Sequence, residues 1–325
     1  MPLRIPTCRY CLANGTKQTI IIFLCLTFIS IGIMSLYALS LFTQRKLVID
    51  IQRPCNFSRM ILPNRVIWNP EAYKLDGKRM HLKCINKPKC MTYFDDIIES
   101  SENQLSNDIL SFNVNHDWLA YFSNNTKYKT RIEKLGYSPE RFKLVYLFKE
   151  WYNTLFKFSR DYQSKYDIIK AKIDKKTLIC AQIRIGGKRS RDKQFNSINA
   201  TKDFWKFLRN HFLKDLKENT WKLVVTTETI EVEKEAVDEF GEDNMIRIPG
   251  EFSHSDRLRN LGNDCRKIEK TILEFNLMEY CDKAVVSNSG FGKLSLWNRY
   301  QPIKDTFVFE NNEFKPMTYD TVPFG

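Results

Sequence analysis

Two stretches decide how this chain folds: Leu178–Gly187, reading LICAQIRIGG, and Ala284–Trp297, reading AVVSNSGFGKLSLW. Each is an apolar run that ends abruptly in small, polar or basic residues. A buried parallel strand has this form where its C-terminal end opens into a ligand crevice. The first delivers Arg184 beside a Gly186-Gly187 turn; the second delivers Ser287, Asn288 and Ser289, then Gly290, Phe291 and Gly292 at a helix start. Backbone N–H groups at a helix N-terminus form an anion site, and a guanidinium supplies a forked counter-charge. Either stretch alone is an ordinary strand end; the two together point to a phosphate-bearing ligand. The second is not a P-loop, because Ser287 stands where that motif needs Gly and Leu294 where it needs Ser or Thr.

Working outward from these stretches, strand and helix patterns alternate from Lys175 onward. Strands are predicted at Leu178–Ile185, Lys222–Thr227, Met245–Pro249, Ala284–Ser287 and Phe307–Glu310. Helices are predicted at Lys202–Leu216, Val232–Phe240, Cys265–Tyr280 and Phe291–Trp297. Such alternation implies a parallel, doubly wound α/β sheet. Ahead of it, residues 61–170 begin irregularly, with Pro63, Pro70 and Pro88, and turn helical from about Thr130. Ser138-Pro139-Glu140-Arg141 reads as a helix opening with Pro in first position. Val145, Phe148, Trp151, Tyr152, Leu155, Phe156 and Phe158 then recur at spacings of three and four, an aromatic helix face read as core.

The N-terminus suggests an address. No charged residue occurs from Thr19 to Phe42, a run long enough for a bilayer core of ~30 Å at ~1.5 Å per residue. Basic Arg4, Arg9 and Lys17 precede it, Arg45 and Lys46 follow, and Leu39-Ser40-Leu41-Phe42 is a poor cleavage site. Glycosylation acceptors at Asn56, Asn124 and Asn199 all lie C-terminal to the run. Of nine cysteines, Cys55, Cys84, Cys90, Cys180, Cys265 and Cys281 follow it, an even number that allows up to three disulfides in fifteen pairings; Cys84 and Cys90 are close enough to close a small loop. These features predict a type II signal-anchored protein: a cytosolic tail at 1–18, a transmembrane helix at 19–42, a short stem at 43–60, and a body facing the secretory lumen. The net charge is +13, and beyond residue 46 it is 46 basic against 38 acidic residues, a mildly basic surface. That suits an anionic ligand, and no nucleic-acid recognition module is present.

Further residues carry a family resemblance. The run LFKFSRDYQSKYD (155–167) leads into LICAQIRIGG, and the order continues through His254-Ser255-Asp256, Asn263-Asp264, the Lys267–Tyr280 helix and Asp282–Ser287, followed by Ser289-Gly290-Phe291-Gly292. This series resembles the GT-B fucosyltransferases, especially the xyloglucan type, and shares the plan of the α1,2-, α1,6- and protein O-fucosyltransferases. It spans roughly residues 140–300. Gln182 stands where many relatives have His, Ile185-Gly186-Gly187 replaces an Arg-Gly-Asp-like continuation, and Phe158 replaces a proline.

The resemblance implies two Rossmann-like domains, an acceptor-side domain at 61–170 and a GDP-sugar-binding domain at 171–325. It implies a Golgi enzyme that moves fucose from GDP-fucose to a glycan or glycoprotein acceptor with inversion. The chain contains no Asp-x-Asp metal motif, so neither a metal nor another cofactor is expected. Arg184, Gly186, Gly187 and Ser287–Gly292 would hold the donor, and Asp192, His254 and Asp256 are the candidates for the base. Thr226, Thr227 and Glu228, at a strand end, could line the nucleoside pocket. The alternative is a catalytically silent membrane protein that keeps the fold as a surface for a glycan or a protein.

Overall fold

The computed structural model describes residues 19–23, 26–50, 55–73, 79–84, 94–96, 109–114, 117–187, 196–252 and 265–319. The chain divides into two compact units, one of residues 1–53 with 57–157 and the other of residues 54–56 with 158–325. The boundary at Phe158 gives the helix at Arg160–Ala171 to the second unit, earlier in the chain than the boundary near residue 170 expected from the alternation.

The first unit contains a four-stranded parallel sheet. Its strands are β1 (Thr19–Phe23), β2 (Lys46–Asp50), β3 (Arg79–Cys84) and β4 (Ile109–Val114), in the order β2-β1-β4-β3. Helix α1 (Leu26–Thr43) follows β1. Over the expected membrane helix, Thr19–Phe42, the described residues form β1 and α1, so a single spanning helix is not confirmed. Among the described residues no helix is long and apolar enough to cross a membrane. The reason is visible in packing. Ile31, Ile33, Met34, Leu36, Ala38 and Leu39 of α1 are fully buried, and a helix apolar on all sides suits a protein core as well as lipid. Tyr37 meets Trp151 edge-on at 5.1 Å between ring centroids, and Phe42 contacts Phe122, Tyr128 and Phe142. Residues 43–60, expected as a short stem, include β2, where Leu47, Val48 and Ile49 are buried.

Helices α2 (Leu119–Asn124), α3 (Thr126–Lys134) and α4 (Leu144–Leu155) also belong to this unit. Pro139 opens only a single 3-10 turn, Pro139–Arg141, and α4 starts afresh at Leu144. On α4 the stripe is core as read at Val145, Phe148, Trp151 and Leu155, with Tyr152 half-buried, but Phe156 and Phe158 leave the helix for a short strand, Phe156–Phe158.

The second unit begins with α5 (Arg160–Ala171) and is built on a five-stranded sheet. Strands β5 (Thr177–Ile183), β6 (Trp221–Thr227), β7 (Lys283–Ser287) and β8 (Thr306–Glu310) are parallel, and β9 (Glu313–Pro316) returns antiparallel to β8. The order is β9-β8-β7-β5-β6. Alternation sorts the side chains of β5 onto two faces. Ile179, Ala181 and Ile183 pack with Phe204, Trp205 and Phe207 of α6 (Ala200–Phe207) and with Val232, Ala236 and Phe240 of α7 (Ile230–Phe240). Cys180, Gln182 and Arg184 belong to the opposite face, shared with α8 (Arg266–Leu277) and α9 (Gly290–Trp297).

The predicted strand at Met245–Pro249 is reduced to one bridge, Leu223 to Met245, extended by the Ile246 N–H to Leu223 O bond at 2.8 Å. Pro249 limits further pairing because it has no N–H to give. Among the described residues two disulfides lie within this unit, Cys55–Cys265 and Cys180–Cys281. The second ties the middle of β5 to the segment that enters β7. The expected Cys84–Cys90 loop falls outside the described residues.

Candidate functional site

Strand order fixes where a ligand would sit. From β5 the chain crosses through α6 to β6 on one side, then returns through α7 and α8 to β7 on the other side. The carboxyl ends of β5 and β7 thus flank the point where the winding reverses, the place where open α/β sheets bind ligands. These are the ends that carry Arg184 and Ser287–Gly292.

The two ends are joined by side chains. Ser287 Oγ accepts the Arg184 backbone N–H at 2.9 Å and the Asn196 Nδ2 donor at 3.2 Å. Asn196 Nδ2 also donates to the Arg184 carbonyl at 2.6 Å, and the Asn196 N–H donates to the Ile185 carbonyl at 3.2 Å. Asn196 escaped sequence reading because it is a lone polar residue in a loop; its only signal is its place just ahead of the Asn199-Ala200-Thr201 helix start.

The turn after Arg184 is held from β6. Glu228 Oε1 accepts the N–H groups of Ile185 at 2.9 Å and Gly186 at 2.5 Å. Glu228 therefore acts here as a brace for the β5 turn, while Thr226 is buried with its hydroxyl 3.9 Å from Met278 Sδ. Gly186 and Gly187 have φ of 73° and 86°, a left-handed backbone that favours glycine at both positions.

On the β7 side, Ser289 caps α9, its Oγ accepting the Gly292 N–H at 3.3 Å. Helix geometry leaves the Gly290 and Phe291 N–H groups pointing out of the first turn. Neither Gly290 nor Gly292 is among the positive-φ residues. Gly292 is needed for space instead. A Cβ there would lie 2.6 Å from Gln182 Oε1 and 2.9 Å from Val286 Cβ. Phe291 stacks edge-on against Phe275 of α8 at 5.6 Å.

Behind the turn, Lys293 Nζ donates to Asn288 Oδ1, and Asn288 Nδ2 donates to Glu310 Oε1. Burial holds the Lys293 ammonium below the usual lysine range, opposed by the Glu310 charge. The local field at the start of α9 thus combines a buried cation, a helix N-terminus and the half-buried Arg184, all favouring an anion.

Of the residues proposed from sequence, the structure brings together Arg184, Gly186, Gly187 and Ser287 to Gly292. Asp192, His254 and Asp256 lie outside the described residues. Among the described residues there is no group of three or more His, Cys, Asp or Glu side chains arranged to hold a metal.

With this geometry in hand, comparison with known proteins is informative on the fold alone. No protein-family model matches the chain, and no curated protein matches its sequence. Solved structures do. A mutant of Arabidopsis thaliana FUT1 in complex with GDP superposes with a TM-score of 0.61 at 11% identity, covering 92% of this chain and 72% of that one. NodZ α-1,6-fucosyltransferase soaked with GDP-fucose gives 0.53 at 13% identity, covering 92% and 98%. Fucosyltransferase NodZ from Bradyrhizobium gives 0.53 at 13%, covering 93% and 98%. The chain has the two-unit GT-B fold of these fucosyltransferases.

Proposed function

We propose that the chain is a metal-independent, inverting fucosyltransferase that takes fucose from GDP-fucose. The observation that carries this reading is the pairing of Arg184 with the Ser287–Gly292 turn at the switch point of a sheet that the solved fucosyltransferases share. In the reaction, an acceptor hydroxyl attacks the anomeric carbon as the bond from that carbon to the β-phosphate oxygen breaks. The departing GDP gains negative charge. Arg184, always charged and able to form two parallel hydrogen bonds, and the outward N–H groups of Gly290 and Phe291 are assigned to stabilise it. Such an arrangement does the work a divalent cation does elsewhere, which is why metal independence belongs to the proposal. The hydroxyl proton goes to one of Asp192, His254 or Asp256.

The acceptor is proposed to be a glycan or glycoprotein in the Golgi lumen. The two disulfides and the exposed Asn124 and Asn199 sequons support an oxidising, glycosylating compartment. A type II anchor over Thr19–Phe42 would take β1 from the centre of its sheet, so anchor and fold compete for the same residues. Extraction of membranes at alkaline pH separates them: an anchored chain stays with the membrane, and one with β1 in its sheet is released.

The test of activity is a donor screen with GDP-fucose and other GDP-sugars against a glycan array, in excess EDTA, with linkage analysis of the product. Fucose transfer that survives chelation supports the reading. GDP binding without transfer to any acceptor moves it to the silent scaffold, and transfer that needs added Mn²⁺ overturns metal independence.

A further inference from the structure

Gln182 is buried within β5 at 5% exposure, on the same strand face as Arg184 and directly beneath the first turn of α9. A glutamine this deep in a parallel sheet needs a partner for the end of its amide that is cut off from water. One end is accounted for. Ser289 Oγ already accepts the Gly292 N–H, so its single hydroxyl proton goes to Gln182 Oε1, at 3.1 Å. That bond fixes the amide's orientation and turns Nε2 away from Ser289. Among the described residues Nε2 donates no hydrogen bond, and it is not one of the fully buried unsatisfied atoms, so it stays accessible from the site.

The surroundings say what would satisfy it. The amide oxygen lies against Gly292, where a Cβ would come within 2.6 Å of it. The helix N-terminus, Lys293 and Arg184 all favour negative charge there, and an N–H donor at the same place adds to them. Resting on the nucleoside diphosphate reading above, we propose that Gln182 is a specificity residue of the donor site, its Nε2 donating to a phosphate oxygen and so distinguishing a diphosphate from a monophosphate. Arg184 and the helix N-terminus attract any phosphate; Gln182 adds a directed contact that a nucleoside monophosphate leaves unmade.

The test uses Gln182→Glu, which keeps the shape and the acceptor for Ser289 but exchanges the donor for a negative charge. Affinities for GDP and GMP are measured by calorimetry on the full chain between pH 5 and 8, beside thermal melts. The expected result at pH 8 is a loss of tenfold or more in GDP affinity with a much smaller loss for GMP, partly recovered at pH 5 as the new carboxyl takes up a proton. GDP affinity within twofold of wild type shows that Gln182 only braces Ser289 and overturns the inference. Equal losses for GDP and GMP overturn it too, because the contact is then not to the second phosphate. If Gln182→Glu does not fold, Gln182→Met, of similar volume, decides: the GDP-to-GMP affinity ratio must fall several-fold. A wild-type chain that binds neither nucleotide rejects the donor-site reading itself, whereas wild-type GDP binding with an unmoved ratio rejects only the role of Gln182.

Discussion

The Arg184 backbone N–H reaches Ser287 Oγ across 103 residues of sequence, at 2.9 Å. This bond joins the two strand ends at the switch point and sets where the Arg184 side chain departs from β5. Ser287 is fully buried, so no water stands ready to replace it. Ser287→Ala leaves the Arg184 N–H and one Asn196 contact unsatisfied, a loss of about 1–3 kcal/mol in stability. Denaturant unfolding measures that loss. GDP affinity should fall as well, since the arginine loses its support; a variant as stable as wild type would show that the bond contributes nothing.

The arginine itself is tested by Arg184→Lys. Charge is kept while the planar fork is lost, so folding should survive and turnover should drop on the order of 10²–10³-fold. Steady-state rates with saturating GDP-fucose give the answer. Turnover near that of wild type would remove Arg184 from the leaving-group site.

Much of the second unit is legible in sequence for a plain physical reason. Buried parallel strands such as Ile179–Ile183 and Ala284–Ser287 are continuous apolar runs, and their polar ends, Arg184 and Ser287–Ser289, stand out against them. The first unit is less legible. Ile20, Ile21 and Ile22 in β1 and the apolar α1 join into one uncharged run, and hydrophobicity alone does not distinguish a lipid partner from a protein partner. Leu47–Ile49 is too short to announce itself as a strand beside that signal. Within the site, Gln182 and Ser289 are 107 residues apart, and the brace from Glu228 to Gly186 spans 42. Such pairings depend on sheet order, which no local pattern encodes.

The glycines of the two turns should answer differently to substitution. Gly292→Ala forces a methyl to within 2.6 Å of Gln182 Oε1 and 2.9 Å of the Cβ of Val286, a fully buried residue whose Cβ moves only with its backbone. Overpacking of this kind costs about 1–3 kcal/mol and displaces Gln182, so both melting temperature and GDP affinity should fall. Gly187→Ala meets nothing within 4 Å and suffers only the strain of φ +86°, about 1–2 kcal/mol. Its GDP affinity, measured on folded protein, should fall less than that of Gly292→Ala; the reverse order would place the phosphates at the β5 turn.

The Cys180–Cys281 disulfide joins the core of β5 to the entry of β7, with both cysteines buried. Cys281→Ser should destabilise the protein by about 2–5 kcal/mol, as loss of a native disulfide commonly does. Non-reducing peptide mapping checks the pairing directly. Finding Cys180 bonded to any other cysteine would contradict the register of β5 against β7.

The last prediction concerns pH. Glu274 is buried on α8 beside Lys270, whose Nζ is 3.2 Å from Glu274 Oε1, 3.0 Å from Glu233 Oε2 of α7 and 2.8 Å from the Ile248 carbonyl. Arg247 bonds Glu233 from the opposite side at 3.0 Å. Burial pushes the Glu274 carboxyl up to about 7 from an ordinary 4.5, against the pull of Lys270, and the Glu233 charge adds to the rise. The folded state therefore holds a proton that the unfolded chain releases. Below pH 4.5 both states are protonated and Glu274 costs nothing. Between pH 4.5 and 7 the unfolded chain ionises first, so stability falls as pH rises, by about 1.4 kcal/mol for each pH step of one across that window. Above 7 the loss is complete. Glu274→Gln cannot ionise, so its stability relative to wild type should climb across this window and level off beyond it. Paired thermal melts at half-unit pH steps measure the difference; a difference constant from pH 4.5 to 8 would show that Glu274 is ionised in the folded protein throughout.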